Sequence, residues 1–380
     1  MAGCDEMVTI NPAPRRFFRP TWAEVDLSAL LGNLRKFRGK MPAGVKLMFV
    51  VKANAYGHGA AACAAAAEKA KLADWLGVSS VEEGVALREA GSKLPILVLG
   101  SLFPFESFLA AANHGLTPTI ASLESAQRLV EAAKSLGRRV DCHVKVETGM
   151  GRIGVSPAAA VATAEYLSKQ PMVRIQGIYT HFSCAETDAP FTRKQLARFQ
   201  EALDGLAARG IKVPLRHAAN SAAALRFSAS RFDMTRPGLA LYGLYEGFSP
   251  VLALKSKLVF VKTVAKGTPV SYGAKFRAKR VSRIATLPIG YADGWSRANS
   301  DNGDVVVAGR RCPIVGRVTM DMTMVDVTDA RQARVGDDAV LIGSQGRETI
   351  TAAEVAKRLS TIPYEITTTV SSRVPRVYLS

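Results

Sequence analysis

Residues 140–157 read VDCHVKVETGMGRIGVSP, and the choice of fold turns on them. Val140–Thr148 is a largely apolar run that predicts a strand, and Pro157–Lys169 predicts the helix that follows it. Between them, Gly149-Met150-Gly151-Arg152-Ile153-Gly154 spells GxGxxG, formally a dinucleotide fingerprint. Two features argue against an open nucleotide-binding sheet. The motif sits in the fifth strand–helix unit instead of opening the fold, and Arg152 stands where the turn must approach a pyrophosphate. A glycine-rich loop that presents the Arg152 guanidinium to a carboxylate fits better. A tight turn carrying an exposed arginine fits the local residues equally well.

The flanking sequence repeats the same alternation. Strands are predicted at Leu47–Ala53, Trp75–Ser80, Pro95–Gly100, Leu116–Ala121, Val140–Thr148, Arg174–Phe182, Leu215–Asn220 and Phe232–Arg236, each followed by a helical stretch. Apolar strands between amphipathic helices imply a buried parallel sheet. Eight such units predict a closed (β/α)₈ barrel over residues 21–252. Beyond residue 252 the pattern becomes Leu252–Val264, Arg283–Pro288, Asp304–Ala308, Cys312–Val318, Thr323–Val327 and Asp338–Ile342, with one helix at Thr351–Leu359. Residues 253–380 are therefore expected to form a mostly β domain. Residues 1–20, with Asn11-Pro12-Ala13-Pro14, are expected to be a loose leader.

Composition narrows the function. The 380 residues are 48% hydrophobic and 22% charged, as in folded globular proteins. No apolar run approaches the roughly 20 residues of a membrane span, and the N-terminus lacks a secretory pattern, so no membrane role is expected. Five cysteines without CxxC spacing fit neither a disulfide framework nor a metal site and point to a reducing cytoplasm. The net charge of +18 invites a nucleic-acid reading. The basic residues are diffuse pairs, however, and no nucleic-acid motif accompanies them.

In such a barrel the chemistry lies at the carboxyl ends of the strands. The first ends at Lys52, in Val51-Lys52-Ala53-Asn54-Ala55-Tyr56-Gly57-His58-Gly59. A lysine in an apolar strand either snorkels to solvent or is kept reactive by desolvation, as an amine able to bond an aldehyde cofactor. The sixth strand ends at His181, a position that more often holds a core histidine. His217, on the seventh, reads as core. Ser221 and the N–H of Gly238, after the last two strands, suit a phosphate, and Arg236 lies between them in sequence. In the β domain Tyr272, Tyr291 and Met320 lie in turn-like segments, where tyrosines usually cover half-buried faces.

Taken together these segments resemble the alanine racemase family of pyridoxal-phosphate enzymes, over nearly the whole chain from Thr21-Trp22 to Arg373-Val374-Pro375-Arg376. Val51–Gly59 is similar to its cofactor-lysine motif, Glu147–Gly154 to its carboxylate-binding loop and Pro288–Gly294 to its entrance motif. The resemblance implies interconversion of L- and D-alanine, supplying D-alanine for peptidoglycan, with pyridoxal 5'-phosphate as cofactor. Lys52 would bond the cofactor; Tyr56, Ser221 and Gly238 would hold its phosphate; Arg236 would face the pyridine nitrogen. Lys52 and Tyr272 would be the two opposed bases, with His181 and Arg236 supporting the phenol, whose ordinary pKa is about 10. Arg152 and Met320 would bind substrate, Tyr291 would line the entrance, and Lys145 matches a lysine carbamylated in some members. Tyr272 and Met320 would come from the second subunit of a homodimer. No metal is implied. One departure is Ser372, where the family often has a tyrosine; a broader amino-acid racemase is the alternative it raises. A decarboxylase on a related architecture would put a carboxylate in place of Arg236, and a barrel-only cofactor carrier would lack Tyr272.

Overall fold

The computed structural model describes residues 18–380. The leader expected over residues 1–20 falls mostly on residues 1–17, outside the described residues. The chain divides into two compact units. One comprises Glu24–Ala253, Thr351–Ser371 and Arg376–Ser380.

Eight parallel strands ring this unit: Lys46–Val50, Trp75–Val78, Ile96–Val98, Thr117–Ile120, Val140–Lys145, Val173–Tyr179, Leu215–His217 and Met234–Thr235. Each of the first seven pairs with the next in sequence up to the seventh, and the first also pairs with the eighth, Lys46 opposite Met234. Between the seventh and eighth the ladder gives way to single bonds, from the Asp233 N–H to the Arg216 carbonyl (3.0 Å) and from the Arg236 N–H to the Ala219 carbonyl (2.9 Å). This nearly closed (β/α)₈ barrel is the fold class expected from the sequence.

Strand side chains alternate between faces. Leu47 and Phe49, Leu76 and Val78, and Ile96 and Val98 join the core beneath the helices. Met48, Trp75, Leu97, Tyr179, Leu215 and Met234 form a separate cluster inside the ring. Polar groups share that interior: His143 and His217, both fully buried, are 2.9 Å apart from Nδ1 to Nε2. Room for His143 comes from Gly177 on the neighbouring strand, where a Cβ would lie 2.6 Å from the imidazole.

Two expectations need correction. The first strand ends at Val50, not Ala53, because the chain turns sharply from Lys52 to Tyr56. The eighth strand has no helix after it, because Gly238 and Gly243 lead the chain through turns. A helix that sequence reading passed over, Leu27–Arg38, precedes the first barrel strand and bonds to the segment that follows the eighth. The Asn33 amide on that helix donates to the Leu241 and Ser249 carbonyls at 3.0 and 2.7 Å. The helix Ala352–Arg358, capped by Thr351, and a second short helix, Pro363–Thr368, are also part of this unit.

The other unit contains residues 18–23 of the described chain, Leu254–Ile350 and Ser372–Pro375. The strands of Leu254–Ile350 pair antiparallel with one another. The segment expected as one strand, Leu252–Val264, is two: Leu252–Lys257 pairs with Asp338–Gln345, while Phe260–Val264 pairs with Ser282–Leu287 in a different sheet. The switch falls at buried Leu258. Among the described residues no helix is long and apolar enough to cross a membrane.

Gly177→Ala would press a methyl into the His143 ring, whose Nδ1 is held by His217. Overpacking of this kind costs about 1–3 kcal/mol. The variant is expected to show a lowered thermal midpoint with an unchanged far-ultraviolet spectrum.

Candidate active site

At the carboxyl ends of the barrel strands lies a cavity of about 570 Å³. Lys52, Tyr56, Lys145, Arg152, His181, Ser221, Arg236 and Gly238 all line it. These eight were proposed from five separate segments of sequence, and the barrel brings them to one place.

Lys52 opens a turn in which Ala53, Asn54, Ala55 and Tyr56 have φ of 52–55°. Left-handed backbone costs about 1–2 kcal/mol at each non-glycine residue, so four in succession need external support. Neighbours supply it. The Asn54 side chain accepts from the Ala60 N–H at 2.8 Å, and His58 Nδ1 lies 2.9 Å from the carbonyls of both Ala55 and Tyr56. Burial lowers the Lys52 pKa and Arg152 lowers it further, against an opposing influence from Glu83. The Lys52 amine is thus biased toward its neutral, nucleophilic form.

Tyr56 leaves the same turn toward the end of the eighth strand. A Cβ added to Gly238 would stand 2.6 Å from the Tyr56 Oη, so only glycine lets the phenol approach this backbone. Ser221 Oγ accepts from the N–H groups of Gly238 (3.1 Å) and Ala240 (3.3 Å). Burial pushes the Tyr56 phenol up to about 12, so it remains a hydrogen-bond donor. Hydroxyls and backbone N–H groups gathered this way suit a phosphate.

Arg236 is buried and has no carboxylate partner among its described hydrogen bonds. It donates to the Thr180 and Ala218 carbonyls at 2.7 and 3.0 Å, to His217 Nδ1 at 3.0 Å and to His181 Nδ1 at 3.3 Å. A guanidinium only donates, so both imidazoles accept through Nδ1 and carry their proton on Nε2. His217 Nε2–H then donates to His143 Nδ1. His217, which sequence reading left as a core residue, is therefore core and also a support of Arg236. Burial lowers the pKa of Arg236 to about 10, which still leaves it protonated near neutrality.

Glu147 was not singled out from the sequence, yet it organises the glycine-rich loop. Its carboxylate accepts from the N–H groups of Gly149, Met150 (2.6 Å) and Gly151 (3.0 Å). The loop's own donors are thereby occupied, which is the physical reason it does not serve as a pyrophosphate cradle. It carries Arg152 to the cavity instead. Lys145, at the end of the same strand, has its pKa lowered to about 7 by burial and then by Arg152 and Arg236.

Ser372 does not line the cavity, whereas Tyr364 and Thr368 of the C-terminal helix do. A single tyrosine in that stretch gave no local signal in sequence. Tyr272, Tyr291 and Met320 belong to the other unit and do not line the cavity either. All three are exposed, at 73%, 41% and 53%. Backbone bonds join their segments: the Tyr291 N–H donates to the Thr319 carbonyl and the Ala292 N–H to that of Met320, both at 3.1 Å. Ser271 Oγ donates to the Arg317 carbonyl at 2.7 Å.

Comparison with known proteins bears on this geometry. The family profile "Alanine racemase, N-terminal domain" matches residues 25–246, and "Alanine racemase, C-terminal domain" matches residues 251–378. The chain is similar to an alanine racemase of Symbiobacterium thermophilum, at 46% identity over 95% of this chain and 97% of the relative. It is 44% identical to one from Halothermothrix orenii, over 96% and 98% of the two chains. Among solved structures, an alanine racemase of Clostridium difficile 630 superposes with a TM-score of 0.92 at 39% identity, covering 96% and 97% of the two chains. One from Bacillus anthracis, with bound L-Ala-P, superposes with a TM-score of 0.91 at 38% identity, covering 97% and 96%.

The buried imidazoles make stability depend on pH. Unfolded, each binds a proton near pH 6.5, whereas burial holds His58 to about 4 and His143 to about 3 in the folded chain. Below pH 6.5 the unfolded state therefore holds more protons, and stability falls as the pH drops. Each such histidine contributes about 1.4 kcal/mol per pH unit in that window. Denaturant titrations at pH 7 and pH 5 are expected to show the loss, and a His143→Phe variant a shallower one.

Proposed function

The chain belongs to the alanine racemase family and is an isomerase that interconverts L- and D-alanine, and we propose that it does so with pyridoxal 5'-phosphate held in the barrel cavity. The observation that carries the cofactor assignment is the cavity's chemistry. Lys52, Lys145, Arg152 and Arg236 all line it, with Glu186 the one acidic residue in its wall among the described residues. An anionic occupant is required, and the Tyr56–Ser221–Gly238 cradle at one end suits its phosphate.

When bound through its aldehyde, this cofactor draws electron density from the substrate Cα and so loosens the Cα proton. Arg236 would meet the cofactor's ring nitrogen as a donor that keeps its own proton, which would limit that withdrawal and favour simple return of the proton over side reactions. Arg152 binds the substrate carboxylate. Lys52 Nζ, biased toward its neutral form by desolvation, exchanges the proton on one face of Cα. Inversion needs a second acid–base group on the other face, and Tyr272 Oη of the partner subunit supplies it. Met320 of the partner subunit approaches the substrate through its backbone N–H, and Tyr291 of the partner subunit lines the entrance. The proposal therefore includes a homodimer, for which the exposure of these three side chains within their own unit is support. His181, bonded to Arg236, lies on the route by which positive charge would reach the phenol.

Lys145 is proposed to carry a carbamate. Its amine is neutral enough near pH 7 to add to carbon dioxide, forming an N–C bond and releasing a proton. The resulting anion would stand beside Arg152 and orient it. We place the enzyme in the cytoplasm, supplying D-alanine for cell-wall peptidoglycan; the four described cysteines, all unpaired, accord with a reducing compartment.

Exchange of the Cα hydrogen with deuterated solvent tests the scheme. The purified protein is expected to incorporate deuterium into both L- and D-alanine, with loss of optical rotation and no release of carbon dioxide. Tyr272→Phe should suppress exchange from one enantiomer at least 100-fold more than from the other, on the scale of lost acid–base catalysis, about 10²–10⁴-fold. Equal losses from both would contradict opposed bases. For Lys145, an intact mass higher by one carbon dioxide, absent in Lys145→Ala, is expected at neutral pH.

A further inference from the structure

We propose that Glu83 is a positioning residue for Lys52: its carboxylate ties the peptide that follows the lysine to the turn after the second barrel strand, holding the lysine backbone so that the amine enters the cavity. The inference rests on the assignment of Lys52 as the cofactor-bonding amine.

Glu83 lies in the first turn of the helix Val81–Glu89, three residues after its cap, Ser80. Ser80-Val81-Glu82-Glu83 has the spacing of a capping box, in which the glutamate would turn back to the N–H of the cap residue. This carboxylate does something else. Oε2 accepts from the Ser79 N–H at 2.7 Å, and Oε1 reaches 30 positions back along the chain to the Ala53 N–H, also at 2.7 Å. One side chain thus joins the loops after the first two barrel strands, with both oxygens engaged.

The Ala53 N–H is a telling partner. It belongs to the peptide plane immediately after Lys52, and it opens the run of four left-handed residues Ala53–Tyr56. Left-handed backbone at non-glycine residues persists only where surrounding contacts over-determine it. Glu83 fixes the first peptide of that run, as the Asn54 side chain fixes its exit through the Ala60 N–H. Release of the Glu83 contact frees the Lys52–Ala53 peptide to rotate, and with it the direction of the lysine side chain. The same carboxylate is the nearby negative charge that opposes burial and Arg152 in setting the protonation of Lys52.

Three variants test this. Glu83→Ala removes both bonds and the charge. Glu83→Gln keeps the shape and can accept only one of the two bonds. Ser80→Ala removes the helix cap while leaving the Ala53 contact in place. In cofactor-stripped protein, acetylation of Lys52 by acetic anhydride is followed by peptide mass spectrometry across pH. The pH of half-reaction is expected to fall in both Glu83 variants, because loss of a neighbouring negative charge favours the neutral amine. Pyridoxal 5'-phosphate is then added back and its lysine-bound visible absorbance titrated. At least tenfold weaker rebinding is expected for Glu83→Ala, a smaller loss for Glu83→Gln, and wild-type values in both readouts for Ser80→Ala despite a lower melting temperature. If the Glu83 variants lose only melting temperature, with half-reaction pH and rebinding unchanged, Glu83 is a helix cap and the proposal fails. If wild-type protein itself gains no lysine-bound absorbance, the cofactor assignment of Lys52 fails, while the acetylation profile, measured without cofactor, still decides the role of Glu83.

Discussion

Burial of cations is the constraint from which the rest of the site follows, and their mutual repulsion adds to it. Two lysines and two arginines line one cavity at the mouth of the barrel, and Arg236 is buried with no carboxylate bonded to it among the described residues. Charges removed from water cost several kcal/mol each unless something compensates. Compensation here is indirect. Both lysines shift toward neutrality, while Arg236, which cannot, is surrounded by carbonyls and imidazole nitrogens. The burial that makes these charges costly also biases the Lys52 amine toward its neutral form, and Arg152 adds to that bias.

The second requirement is that these groups point the right way, and it is met by ordinary residues placed where backbone would otherwise be strained or unsatisfied. Glu147 fills a nest of N–H groups and stiffens the loop that bears Arg152. Asn54 and His58 brace the left-handed turn after Lys52. In the other unit, buried Asp293 accepts from the Gly290 N–H at 3.0 Å and pairs with Arg19 at 2.7 Å and Arg373 at 3.3 Å, so the segment bearing Tyr291 is held by charges from three distant parts of the chain. Arg19, the last cation of a basic leader that function alone did not explain, thereby acquires a structural role.

Legibility followed the kind of signal each residue carries. Lys52 and Arg236 stood out as charges at the ends of predicted strands, and Arg152 as a cation carried by a glycine-rich loop. Glu147 and Glu83 did not, because a glutamate near a turn or in the first turn of a helix is unremarkable until its acceptor partners are known. His217 was read as core, and it is buried; its bond to Arg236 depends on a contact across 19 residues that no local pattern encodes. Tyr364 was not singled out, since a lone tyrosine in that stretch carries no local signal and only the fold shows that it reaches the cavity while Ser372 does not. The helix Leu27–Arg38 was missed for a related reason: its Asn33 amide bonds carbonyls some two hundred residues later.

By itself the sequence determined the alternation of strand and helix, the count of eight units, the change to antiparallel β structure and the chemical types available at each strand end. Those are local properties, set by side-chain periodicity and by the cost of burying charge. Tertiary structure alone decided which of these groups share a cavity, which nitrogen of each histidine holds its proton, and which glycines are needed for close approach. Such properties depend on distances of a few ångströms between segments remote along the chain, and closure of the barrel is the event that sets them.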